Sequence, residues 1–168
     1  MTTPQKPDYD VIAIGAGFAG LALIHYIREA GLSIRVFDKA DDVGGTWTWN
    51  RYPGAMTDSE SYYYCLTFSP ELLQEWKWTR RYPDWKETQS YFRFVCDKCD
   101  MWPDIQLNTE IVDASYQQDS NLWKLTTADG ETHTCKYFIS AMGMISEPVI
   151  PKIDGMDRFQ GPLFHSAR

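Results

Sequence analysis

An apolar strand that runs straight into a glycine-spaced turn limits what this chain can fold into more than any other feature. The stretch is "YDVIAIGAGFAG", Tyr9 to Gly20. Its opening run, Val11 to Ile14, is apolar at every position, as a parallel strand buried on both faces requires. From Phe18 to Ala30 the residues Leu21, Leu23, Ile24 and Ile27 recur at near-helical spacing, and Gly31 supplies a stop. "SIRVFD", Ser33 to Asp38, reads as the next strand. Strand, glycine turn, helix and strand therefore follow one another within the first 38 residues.

The glycines at the turn, Gly15, Gly17 and Gly20, have the spacing G-x-G-x-x-G. That pattern is weak alone. Here it follows a predicted strand and opens a predicted helix, and Asp38 stands 18 residues after Gly20. Gly15 permits the tight turn, Gly17 lets a pyrophosphate approach the backbone, and Gly20 lets helix and strand pack closely. Ala16, Phe18 and Ala19 complete the phosphate-binding turn. A phosphate there meets the N–H groups and the positive dipole end of the helix. Asp38 is placed to accept hydrogen bonds from an adenosine ribose, with Lys39 beside it.

The fingerprint does not separate FAD from NAD. The next stretch, "GGTWTWNRYPGAMTDSESYYY" from Gly44 to Tyr64, bears on that choice. Gly44-Gly45 is a second glycine turn soon after the ribose-binding acid, able to admit another part of a long cofactor. Trp47 and Trp49 are large apolar walls that a surface loop does not need.

Further on, a short helix is predicted over Glu71 to Lys77 and a longer one over Thr88 to Met101, with Tyr91, Phe92, Val95 and Cys99 inward. "EIVDASYQQ", "LWKLTTADG" and "ETHTCKYFISAMG" read as strands, and Asp129-Gly130 is a hairpin signal. The expected fold is a three-layer α/β, Rossmann-like FAD/NAD(P)-binding domain. Its parallel sheet should include Val11–Ile14, Ser33–Asp38 and Phe138–Ala141, with a small antiparallel excursion. Residues 1–150 would form the N-terminal part of the FAD-binding domain and 151–168 the start of a linker.

Composition excludes several other classes. A net charge of −7 argues against a nucleic-acid partner, which wants a basic face. No apolar run approaches the roughly 18 residues of a membrane span. The polar N-terminus lacks a signal-peptide core, so a cytoplasmic protein with no membrane partner is expected. Cys96 and Cys99 form a "CDKC" element, but no second ligand pair stands at zinc spacing, so no metal is expected and the cysteines are read as reduced thiols.

"GGTWTWNRYPGAMTD" resembles the signature [A/G]-G-x-W-x-x-x-x-[F/Y]-P-[G/M]-x-x-x-D of the Baeyer–Villiger monooxygenases, class B flavoproteins, at Gly44, Gly45, Trp47, Tyr52, Pro53, Gly54 and Asp58. "FQGPLFHSAR" resembles the start of the family's F-x-G-x-x-x-H-x-x-x-W motif at Phe159, Gly161 and His165. The resemblance implies an enzyme that uses FAD and NADPH to insert one oxygen atom from O2 into a ketone, giving an ester or lactone. It makes Asp58 the active-site aspartate that orients an arginine and touches the nicotinamide cofactor. It adds Thr46, Trp47, Tyr64 and Ile111 to the FAD neighbours, along with Gly45, Trp49 and Tyr52 of the same stretch. Asp38 departs from the pattern, since glutamate is commoner there. The resemblance covers only the N-terminal third of such enzymes, and no second G-x-G-x-x-G for NADPH exists here. The remainder of the same polypeptide, with an NADPH-binding domain, is expected to follow.

Three rivals have weaker support. An N- or S-oxygenating flavin monooxygenase shares the glycine fingerprint but not the Trp47-to-Asp58 pattern. A dehydrogenase would use "YPDWK", Tyr82 to Lys86, whose proline spoils a helical Tyr–Lys pair. Nucleic-acid stacking on Trp76, Lys77, Trp78, Arg80 and Arg81 would need a basic surface that the total charge opposes.

Overall fold

A computed structural model describes residues 6–145 and 147–167. Strand β1 (Tyr9–Ile14) leads into helix α1 (Phe18–Glu29) and strand β2 (Ile34–Phe37). After them come α2 (Thr46–Trp49), α3 (Pro70–Glu75), α4 (Trp85–Lys98) and a two-residue strand, β3 (Ile105–Gln106). The chain closes through β4 (Ile111–Gln117), β5 (Leu122–Thr127) and β6 (Thr132–Ser140). One six-stranded sheet results, in the order β3-β2-β1-β6-β5-β4. The pairs β3–β2, β2–β1 and β1–β6 are parallel, while β6–β5 and β5–β4 are antiparallel. The expected Rossmann-like parallel sheet with an antiparallel excursion is present.

Period-two alternation sends successive apolar residues of β1 and β2 into cores on both faces of the sheet. Val11, Ala13, Ile34 and Val36 enter the larger core beneath α1 and α4, against Leu21, Ile24, Tyr91, Phe92 and Val95. Ile12 and Phe37 point the other way and pack with Leu125 of β5 and Cys135 of β6. On that face the Phe37 and His133 rings lie 4.9 Å apart, leaning together across β1.

The helix expected over Glu71 to Lys77 spans Pro70–Glu75, with Trp76 already extended, and both ends of α4 shift for local reasons. Helix α4 begins at Trp85 rather than Thr88, because Asp84 caps it by accepting the Glu87 N–H at 3.0 Å. It ends at Lys98 rather than Met101. Asp100 turns left-handed (φ 48°) and the Met101 N–H closes back on the Cys96 carbonyl at 2.9 Å. Cys96 is the fully buried cysteine of that helix, and Cys99 is only half-buried. Strand β3 is too short for a sequence pattern to show. Among the described residues no helix is long and apolar enough to cross a membrane.

Candidate functional site

The C-terminal ends of the parallel strands open onto one cavity of about 800 Å³. Ligands of open α/β sheets bind at this edge. Helix α1, the end of β2, the second glycine turn, the entry to β4 and the exit of β6 each contribute lining residues.

Each glycine of the first turn has a separate physical reason. Gly15 sits at φ +108°, and a Cβ there would lie 2.4 Å from the Ala141 carbonyl oxygen. At Gly20 a Cβ would lie 2.0 Å from the Gly15 carbonyl oxygen, so this glycine lets α1 press onto the strand. Gly17 is different: its backbone is extended, and the nearest atom to a Cβ is the Gly45 Cα at 3.4 Å. The two glycine turns thus approach each other backbone to backbone. The Gly44 N–H donates to the Ala16 carbonyl at 3.0 Å and fixes that approach. Gly44 and Gly45 both hold positive φ, 132° and 57°.

Asp38 directly follows β2, lines the cavity and is buried at 8% exposure. Its carboxylate accepts the Ala16 N–H at 2.7 Å and the Ala40 N–H at 2.9 Å. It therefore braces the glycine turn as well as facing the cavity. Lys39 pairs with Glu147 and stands 3.8 Å from Glu110; all three line the cavity. Buried Asp42 anchors the second turn to α4, accepting from Arg93 Nε at 2.7 Å and Gln89 Nε2 at 3.1 Å.

Of the residues singled out in the sequence, Gly15, Gly17, Phe18, Ala19, Asp38, Lys39, Gly45, Thr46, Trp47, Trp49 and Ile111 line this cavity. Ala16, Gly20, Tyr52, Asp58 and Tyr64 do not. Ala16 lies buried in the turn and Gly20 in the first turn of α1. Tyr52 begins a type II turn: its carbonyl accepts the Ala55 N–H at 3.0 Å, with Pro53 next and Gly54 at φ 83°. That accounts for the Tyr-Pro-Gly element as backbone geometry.

Asp58 is exposed, on a loop zipped to the segment before α4. The Thr57 N–H donates to the Pro83 carbonyl at 2.9 Å, the Ser61 N–H to the Arg81 carbonyl at 2.7 Å, and Met56 bridges Asp84. The Glu60–Arg81 ion pair closes the same seam. Asp58 itself accepts only a long bond, 3.4 Å, from the Ser59 hydroxyl. Phe159, from the C-terminal motif, folds its ring over Gly161, where a Cβ would meet Phe159 Cζ at 2.6 Å.

The sequence reading missed the β6 exit, Ser140 to Gly143, with Ile145 and Glu147, and missed Ile14, Thr109 and Glu110. The signal for the β6 exit was available, because any residue just past a parallel strand next to β1 falls on the binding edge.

The cavity suits a long nucleotide cofactor on its own geometry. A twelve-residue helix follows Gly17, its N-cap, with no side-chain cap; its first residues line the cavity, and the apposed glycines leave room that a Cβ at either would narrow.

The family described as NAD(P)-binding Rossmann-like domain matches residues 14–77. A phenazine N-monooxygenase of Lysobacter antibioticus is 44% identical over 167 residues, covering 99% of this chain and 31% of the relative. A Baeyer–Villiger monooxygenase of Pseudooceanicola batsensis is 42% identical over 160 residues, covering 95% of this chain and 29% of that protein. The crystal structure of cyclohexanone monooxygenase from Rhodococcus sp. Phi1 bound to NADP+ superposes with a TM-score of 0.87 at 41% identity, covering 95% of this chain and 30% of that one. The chain thus spans about 30% of the length of the relatives it matches.

Proposed function

We propose, from the chain's membership of the Baeyer–Villiger monooxygenase family, whose N-terminal third it matches, that it is the FAD-holding segment of an NADPH-dependent ketone monooxygenase. The reaction places one oxygen atom of O2 into a ketone and yields an ester or lactone. The observation that carries this reading is the meeting of two glycine turns, Gly17 against Gly45, over one cavity that also holds Asp38 and the start of α1.

Bound FAD would supply the redox chemistry: it takes hydride equivalents from NADPH and activates oxygen. The chain's own residues hold and shield. Gly15, Gly17, Phe18 and Ala19 would cradle its pyrophosphate at the helix N-terminus, and Asp38 would accept from its adenosine ribose. Trp47 and Trp49 wall the cavity with apolar surface and keep water off the reacting end. Asp58 lies outside the cavity, on the seam with residues 81–85, where it would orient an arginine through paired hydrogen bonds. That partner, like the nicotinamide site, belongs by the resemblance to the part of the relatives beyond the matched third. Residues 1–150 read as the FAD-binding portion and 151–168 as the lead into a linker. The four free cysteines fit a reducing, cytoplasmic setting.

The test is a titration of the purified chain with FAD and, separately, with NADPH, read by flavin fluorescence quenching and by calorimetry. Saturable FAD binding lost in Gly17→Val is the expected result. Binding of NADPH alone, with FAD ignored, would replace the reading with a nicotinamide-binding domain. The chain alone should oxygenate nothing; because one relative is named for N-oxygenation, product analysis of the longer polypeptide with a ketone and with an N-heterocycle decides the substrate class.

A further inference from the structure

Glycine turns can approach a ligand closely, but they have no side chains with which to fix their own separation. The Gly44 N–H to Ala16 carbonyl bond ties the Gly15–Gly17 turn to the Gly44–Gly45 turn at one point, and side chains must hold the rest of the gap. Each turn is followed by an aromatic residue that lines the cavity: Phe18 after the first, Trp47, with Trp49 beyond it, after the second. The Phe18 and Trp47 rings rest on Tyr64. Phe18 meets it edge to face at 4.9 Å, and Trp47 does so at 5.8 Å. The Trp47 Nε1–H donates to the Tyr64 hydroxyl at 3.0 Å. Phe18 is backed in turn by Phe92 of α4 at 4.6 Å.

Tyr64 is itself tied to the Asp58 loop. Its N–H donates to the Glu60 carbonyl at 3.1 Å, and the Thr57 hydroxyl donates to the Ser59 carbonyl at 2.8 Å, which stiffens the turn between them. Burial pushes the Tyr64 phenol up, the Trp47 donor opposes that, and the Asp58 carboxylate adds to the rise. The hydroxyl therefore stays protonated and within electrostatic reach of Asp58.

We propose that Tyr64 is a positioning residue: from outside the cavity it locks Phe18 and Trp47 together, fixing the gap between the two glycine turns and the plane of the Trp47 indole before the flavin binds. The inference rests on the FAD reading above. It gives Tyr64 an indirect role, through Trp47, in place of contact with the ligand. A buried indole N–H needs an acceptor. Without the Tyr64 hydroxyl, the Trp47 ring turns to find another one, and binding must turn it back.

The experiment compares wild type, Tyr64→Phe, Trp47→Phe and the double variant of the full chain. It measures FAD dissociation constants, the visible circular dichroism of bound FAD, and thermal midpoints. Tyr64→Phe keeps both ring contacts, so its midpoint should move by only a few degrees. Its FAD affinity should fall roughly tenfold, and its flavin dichroism should change. In the Trp47→Phe background, with no N–H left to strand, Tyr64→Phe should add almost nothing. Trp47→Phe alone should alter the flavin dichroism in the same direction, an arm that does not depend on the Tyr64 variant folding.

Unchanged affinity and dichroism in Tyr64→Phe, with an earlier melt, would make Tyr64 a packing residue and overturn the proposal. An equal loss in both backgrounds would overturn it in favour of direct contact with the ligand. Failure of wild type to bind FAD would instead remove the functional reading, and this inference with it.

Discussion

Gly15 and Gly17 stand two residues apart in one turn, yet the structure separates what each protects. Gly15→Ala forces an L-residue to φ +108° and drives a Cβ to 2.4 Å from the Ala141 carbonyl oxygen, a backbone atom on the end of the neighbouring strand. The backbone conformation costs about 1–3 kcal/mol, and relieving the contact costs about as much again. At roughly 2–4 °C per kcal/mol for a chain of this size, the melting point should drop by about 5–20 °C. Gly17→Val meets neither obstacle. Its φ of −90° and ψ of −160° are open to any residue, and the nearest atom to the new Cβ is 3.4 Å away. Replacing glycine at a helix N-cap with valine costs about 1 kcal/mol, a few degrees at most. Its methyls, however, occupy the room a phosphate would use. Losing charge-assisted hydrogen bonds worth about 1.5–3 kcal/mol should weaken FAD by roughly ten- to a hundredfold or more. Melting curves followed by circular dichroism and FAD titrations on both variants give four numbers. If Gly17→Val melts as early as Gly15→Ala, or binds FAD as wild type does, the division of labour argued here is wrong.

In an active preparation, Asp58→Ala should keep its FAD, because the proposed pyrophosphate grip lies elsewhere, while ester formation falls on the order of a hundredfold. Gas chromatography of the ester alongside a peroxide assay checks this, and undiminished ester would leave Asp58 a turn residue. Burial pushes the Cys96 thiol up to about 12 and the Cys135 thiol up to about 11 from an ordinary 9.0. Both should resist a thiol reagent at pH 8 in the native chain and react once urea unfolds it. Since these folded-state values are raised, the stability they support is intact below pH 9 and declines as pH rises from there towards 12, measurable as a falling urea midpoint.

The features legible in sequence were those whose cause is local. An apolar run, glycines at fixed spacing and an acid at the next strand end are each set by the backbone's own needs, and the β1–α1–β2 unit came out within a residue or two of its reading. What sequence could not show was set by partners distant in the chain. Gly15 is hemmed in by Ala141, a residue 126 positions later just past a strand that reaches β1 only through the tertiary fold. Asp38 was legible as a ribose acceptor, but its two backbone donors were not, and they give the same carboxylate a second duty in shaping the turn. The aromatic density from Trp47 to Tyr64 was visible as an oddity. Its arrangement was not, because spacing along a loop carries no periodicity from which a face can be inferred. The fold places Tyr64 behind the wall rather than in it. A motif can thus carry a residue that never lines the cavity but whose hydroxyl, through one indole N–H, helps set the wall's shape.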